Sequence, residues 1–210
     1  MMEWNLNNAY SLAFIDREIG KPKVAAAEYE IERRVILATA DFEYQSLLYF
    51  SEQALSLGAA ALAARSTIVV DVPMLQVGIL PNLQAKFANP IYCASETITR
   101  PQKGKTQADW GMQTLARRYP EAIFMIGQCT RALEGLVELI ATGEIKPAFV
   151  IATPPELIAT GDAVKQRLQD AKVPHITVKG CKGSVVVAAA IANGLLDLAW
   201  QAYGQNNGNV

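Results

Sequence analysis

Five short stretches of the chain are almost continuously apolar and rich in β-branched residues: Thr67–Val72 (TIVVDV), Pro90–Ala94 (PIYCA), Ala122–Gly127 (AIFMIG), Ala148–Thr153 (AFVIAT) and His175–Lys179 (HITVK). Runs without polar alternation mark strands covered on both faces, as in a parallel sheet. The segments around and between them carry helical spacing. Glu28–Ala40 sets Ile31, Val35 and Ala38 on one face, and Glu43–Ala64 does the same with Leu47, Leu48, Leu55 and Leu62. Thr106–Tyr119, Thr130–Thr142, Leu157–Ala171 and Ser184–Tyr203 are further helices, with Gly143, Pro174 and Ser184 as boundary residues. This alternation predicts a single α/β domain: a mainly parallel five-stranded sheet with helices on both faces, a three-layer, Rossmann-like arrangement. It spans residues 1–203, with residues 1–64 as N-terminal helices packed on it. Residues 204–210 (GQNNGNV) form a loose tail.

In such a sheet the ligand crevice lies beyond the C-terminal ends of the strands. That singles out five loops: Asp71–Gly78, Ser95–Lys105, Gly127–Arg131, Thr153–Leu157 and Lys179–Ser184. In the last of these, Gly180 and Gly183 let backbone N–H groups approach a ligand, Ser184 opens a helix, and Lys179 and Lys182 add positive charge. A carboxylate or phosphate suits such a turn, and an ordinary turn with solvated lysines suits it equally. In Gly127-Gln128-Cys129-Thr130-Arg131, Thr130 is the expected N-cap. Arg131 then falls in a first helical turn, where a cation calls for an anionic ligand or an acidic neighbour, or is simply solvated.

Composition narrows the chemistry. Lys and Arg number 19 against 20 Asp and Glu, a formal net charge of −1, which argues against broad nucleic-acid binding. A single histidine, His175, and three scattered cysteines exclude multi-histidine metal sites and zinc fingers by count. His175 follows Pro174 at the start of a strand, away from the crevice, and reads as incidental. Cys129 reads as an inert thiol, and Asp41 and Glu43 around Phe42 as capping residues. Odd cysteines without a CxxC pair, a polar N-terminus and apolar runs well short of a membrane span predict a cytoplasmic protein.

Several blocks carry a resemblance. Ser11-Leu12-Ala13-Phe14-Ile15-Asp16-Arg17-Glu18, Arg34-Val35-Ile36-Leu37-Ala38-Thr39-Ala40-Asp41-Phe42-Glu43 and Asp71-Val72-Pro73-Met74-Leu75-Gln76-Val77-Gly78-Ile79 are the strongest. Gly127 to Leu133, Lys146-Pro147 through Pro154, and Gly180 to Ala190 match in part. Their order and spacing resemble the precorrin-8X methylmutases, the precorrin isomerases of cobalamin biosynthesis, from about Ser11 to Trp200. The resemblance implies one α/β domain and a homodimer with active sites near the subunit interface. The implied reaction moves a methyl group from C-11 to C-12 of a corrinoid ring, giving hydrogenobyrinic acid or its cobalt form. No cofactor or catalytic metal is implied. A corrinoid is an apolar tetrapyrrole edged with carboxylates, which needs apolar walls and a rim of N–H groups and cations. By the resemblance Ser11 and Arg34 contact it. Gly78, Gly127, Gln128, Thr130, Arg131, Gly180, Lys182, Gly183 and Ser184 are the other candidate contacts.

The departures fall on the crevice loops. The family's histidine, which donates a proton or hydrogen bond to the macrocycle, falls on Leu37, and leucine can do neither. The family's G-N-A-P-T becomes Gly127-Gln128-Cys129-Thr130-Arg131, its V-G-F becomes Pro155-Glu156-Leu157, and its T-R-S becomes Lys105-Thr106-Gln107. Of its final glycine pair Gly183 alone is left. Three readings follow: a precorrin isomerase with reduced activity, a non-catalytic tetrapyrrole-binding or carrier protein, and an enzyme reshaped for another anionic small molecule.

Overall fold

The computed structural model describes residues 6–157 and 160–204, so the expected tail lies outside the described residues except for Gly204. The strands are β1 (Leu48–Phe50), β2 (Ile68–Val70), β3 (Ile91–Cys93), β4 (Ile123–Ile126), β5 (Phe149–Ala152) and β6 (His175–Val178). They form one sheet in the order β1-β6-β5-β4-β2-β3. All five predicted stretches are strands and pair in parallel. The sixth, β1, runs antiparallel beside β6, with Leu48 opposite Val178 and Phe50 opposite Ile176.

That strand interrupts what helical spacing predicts as one helix over Glu43–Ala64. The segment divides into α3 (Tyr44–Leu47), β1 and α4 (Ala54–Ala63). Gln53, at φ 58, reverses the chain between β1 and α4. Leu47 and Leu48 fit the helical stripe, but Tyr49 and Phe50 prefer strand, and the free edge of β6 supplies their backbone partners. A second correction concerns Asp71–Gly78, expected as a loop. Pro73 sits at the first position of a helix, α5 (Pro73–Ala85), where its fixed φ and missing N–H cost nothing.

The other helices are α1 (Leu6–Ile19), α2 (Ala26–Thr39), α6 (Gln107–Arg118), α7 (Thr130–Ala141), α8 (Thr160–Asp170) and α9 (Val185–Tyr203). Alternate strand residues face opposite ways. Ile68, Val70, Ile123, Met125, Phe149, Ile151, Ile176 and Val178 pack with α2, α4, α5 and α9. Val69, Phe124, Ile126, Val150 and Ala152 pack with α6, α7 and α8. The two edge strands depart from two-sided burial: Tyr49 and Phe50 of β1 are half-buried, and Tyr92 of β3 is exposed.

α9 is 19 residues long with a mean hydropathy of 1.5, enough by length and composition to cross a membrane. The expectation that apolar runs stay well short of a span therefore fails for this helix. Val187, Ala188, Ile191, Ala192, Leu195, Leu196 and Ala199 spend that hydrophobicity inside the larger core.

Candidate functional site

Among the parallel strands the order reverses between β2 and β4, and a ligand is expected at the crevice there. The protein fills this position itself. Asp71 follows β2 and is fully buried. Its carboxylate accepts hydrogen bonds from the backbone N–H groups of Gly127 (3.2 Å), Gln128 (2.7 Å) and Cys129 (2.8 Å). These amides converge at the N-terminus of α7, the arrangement that binds external anions in other α/β proteins. Gly127, Gln128 and Cys129 thus already hold an anion from within the chain. The N-cap is Cys129 and not Thr130, which is the first helical residue and makes no side-chain cap. Gly127 also permits close packing, since a Cβ there would lie 2.8 Å from Val185 Cα. Arg131 is exposed and donates to the Gly104 carbonyl at 3.1 Å.

The glycine turn after β6 is stitched down from three directions. Buried Lys165 of α8 donates to the carbonyls of Gly180 (2.8 Å) and Lys182 (3.3 Å) and lies 3.6 Å from the Glu156 carboxylate. The Glu156 N–H donates to Cys181, and the Thr153 hydroxyl to the Ser184 carbonyl. Ser184 caps α9 by accepting from the Val187 N–H, as its sequence position predicts. The Lys182 ammonium bonds Asp41 (2.5 Å) and Glu43 (2.7 Å), so its charge is matched twice over. Those contacts hold the lysine pKa above its ordinary value and the Asp41 carboxyl below its own. Gly183 has φ +144, and a Cβ would fall 2.3 Å from the Thr153 carbonyl oxygen. The backbone permits no other residue there without moving.

Two hollows flank α2. The first, about 380 Å³, is walled by Tyr10, Ser11, Phe14 and Ile15 of α1 and by Ile36, Leu37, Ala40 and Phe42. Phe14 and Phe42 meet edge to face at 6.5 Å. Ala40 ends α2 in the left-handed conformation (φ 54), with its N–H on the Ile36 carbonyl, which turns the chain towards Phe42. Ser11 and Leu37, read from separate sequence blocks, therefore line one pocket. It is apolar except for the hydroxyls of Tyr10 and Ser11.

Arg34 and Gly78 meet in the second hollow, a groove of about 650 Å³ that also includes Asn82, Lys86, Asp197 and Trp200. The Arg34 guanidinium bonds Glu30 at 2.7 Å and Asp197 at 2.6 Å. Lys86 and Asn82 bond the other Asp197 oxygen. Burial alone would raise the Asp197 pKa, but the Lys86 hydrogen bond, the Arg34 charge and Asn82 outweigh it and hold the acid below its usual range. Ser11 and Arg34 thus face different hollows.

The remaining reactive groups are quiet. Burial raises the Cys129 thiol, which favours the protonated, unreactive form. His175 is buried at the start of β6, stacked on Tyr49 at 5.6 Å with Nδ1 2.9 Å from the Val173 carbonyl, and burial lowers its pKa. It stands at the end of the sheet opposite the crevice. Sequence reasoning missed Asp71, Lys165 and Tyr10 as site residues. Asp71 alone left a signal, a single carboxylate closing an otherwise apolar strand.

The sequence model of the family "Precorrin-8X methylmutase" matches residues 8–198. The chain is 40% identical to the cobalt-precorrin-8 methylmutase of Synechocystis sp. over 205 residues, covering 91% of this chain and 94% of that one. It is 31% identical to the cobalt-precorrin-8 methylmutase of Leptospira interrogans, covering 93% of each. The solved structure of precorrin-8X methylmutase from Thermus thermophilus superposes with a TM-score of 0.84 at 30% identity, over 94% of this chain and 99% of that one. The family model over almost the whole chain, the 40% identical relative and the shared fold show that the chain belongs to the precorrin-8X methylmutase family.

Proposed function

We propose that the protein binds a precorrin-8-type corrinoid by one edge in the Ser11–Leu37 pocket and moves its methyl group from C-11 to C-12, more slowly than relatives with an imidazole at position 37. The observation that carries this reading is the pocket itself. Residues from two separate family blocks line one apolar hollow, within a chain matched almost end to end by named methylmutases. Apolar and aromatic walls suit the macrocycle, and holding it in one geometry supplies rate without a titrating group. Loss of a general acid costs about 10²–10⁴-fold, so turnover at that discount is expected. Leu37 also favours a second reading, a carrier that binds the corrinoid without turning it over.

The test is affinity for hydrogenobyrinic acid by visible spectra, followed by precorrin-8X turnover of wild type and Leu37→His. Slow turnover by wild type and faster turnover by the variant fit the proposal. Binding with no wild-type turnover supports the carrier, and failure to bind any corrinoid refutes both in favour of an enzyme for another anionic molecule. We place the protein in the cytoplasm, where its three free cysteines stay reduced. The same reading carries a homodimer. The packed pair α5 and α9 exposes Met74, Val77 and Val186, an apolar face suited to a second copy.

A further inference from the structure

Resting on that reading of the pocket, we propose that Tyr10 is a catalytic residue: its phenol donates the hydrogen bond that Leu37 cannot. Every other wall of the pocket is hydrocarbon apart from Ser11, so any polar contact to the ring inside it comes from one of two adjacent hydroxyls on α1. Ser11 already has an interaction within the folded chain. The Tyr10 phenol makes no hydrogen bond among the described residues, and the side chain is 73% exposed at the pocket mouth. A corrinoid is too large to enter a hollow of about 380 Å³ whole. Tyr10 at the mouth therefore meets the ring where it crosses the rim, beside the edge that Leu37 meets in the same pocket.

The chemistry asks for a donor there. In the migration the bond from the methyl carbon to C-11 breaks, a bond to C-12 forms, and the π electrons of the conjugated ring shift to match. No oxidant or reductant is needed. A hydrogen bond to a ring atom that gains electron density lowers the barrier, and a phenol gives that bond while keeping its proton. Phe14 and Phe42, edge to face in the same wall, offer apolar surface to the ring, and a ring seated over the mouth would shield such a bond from water.

The experiment compares wild type, Tyr10→Phe, Leu37→His and Tyr10→Phe with Leu37→His. It measures affinity for hydrogenobyrinic acid and single-turnover rates with precorrin-8X. Loss of the phenol is expected to slow turnover about tenfold or more, with affinity changed less than about twofold because the aromatic wall remains. Measured against Leu37→His alone, Tyr10→Phe is expected to change the rate less than about twofold, because the imidazole then gives the bond; an equal loss in both backgrounds marks a structural role of Tyr10 and overturns the assignment. Tyr10→Phe turning over like wild type overturns the assignment and leaves the methylmutase reading intact. Failure of the methylmutase reading shows in the wild type alone, as binding without turnover or as no binding, and either result overturns the assignment as well.

Discussion

Replacing Asp71 tests whether the crevice is held shut by the chain's own anion. Its carboxylate receives three backbone N–H bonds at 2.7–3.2 Å in a fully buried site. A hydrogen bond to a charged group contributes about 1.5–3 kcal/mol, and a carboxylate at a helix N-terminus gains up to about 2 kcal/mol more from the helix dipole. Asp71→Asn keeps one oxygen, which can serve Gln128 and Cys129 from the place of Oδ2. Its amide nitrogen then faces the Gly127 N–H, donor against donor, and the charge is gone. The expected loss is about 2–4 kcal/mol, with about 4–6 kcal/mol for Asp71→Ala, where all three bonds go. Urea unfolding followed by circular dichroism reads this as a lower midpoint at unchanged slope. The alanine variant carries a second signature. Its emptied ring of amides is a site for inorganic phosphate, so added phosphate at constant ionic strength should stabilise the variant more than the wild type. A loss below about 1 kcal/mol for Asp71→Asn refutes the reasoning.

Three further outcomes are expected. Glu32 on α2 is buried, and burial, then the charge of Glu28, raises its pKa to about 7. The folded state binds this proton more tightly than the unfolded one, so stability falls as pH rises from about 4.5 to 7 and then levels. Glu32→Gln should match wild type at pH 4 and exceed it by at most about 3 kcal/mol at pH 8, and an equal gain at both pH values contradicts the burial argument. Lys182→Met leaves Asp41 and Glu43 unmatched, so affinity for a carboxylate-edged corrinoid should weaken severalfold and more so at low salt; neutralising both acids as well should restore it. An affinity unmoved by Lys182→Met removes this lysine from the binding rim. Gly183→Ala should cost about 3 kcal/mol from its positive φ and the clash with Thr153, whereas Gly180→Ala, with open space around it, should cost about 1 kcal/mol. Thermal melts that reverse this order refute it.

The five parallel strands were legible because two-sided burial leaves an unbroken apolar run, and Ser184 was legible because capping is local chemistry. β1 was not, since three residues inside a leucine-spaced segment become a strand only when the edge of β6 lies beside them. The candidate site divides in the same way. Ser11 and Leu37 could be singled out, but that they share a pocket while Arg34 faces a different groove depends on how α1 and α9 pack against α2. The partners of Lys182 lie 141 and 139 residues away in sequence, at Asp41 and Glu43, and no local pattern announces them. Lysine and glycine spacing could suggest an anion site after β6; it could not show that Asp41 and Glu43 already stand there.

The placement of α9 bears on how the chain comes off the ribosome. This helix fills the middle of one face of the sheet, yet it is the last element to be synthesised of those in the domain. Until it emerges, the inner sides of α2, α4 and α5 and the β-branched residues they should cover have nothing to close against. The nascent chain is therefore an open half-core that finishes folding only after almost everything else has been made. Before it packs, α9 is also a helix long and apolar enough by composition to cross a bilayer. Timing is then as much a requirement for this fold as composition, because a late or stalled α9 leaves two greasy surfaces exposed together.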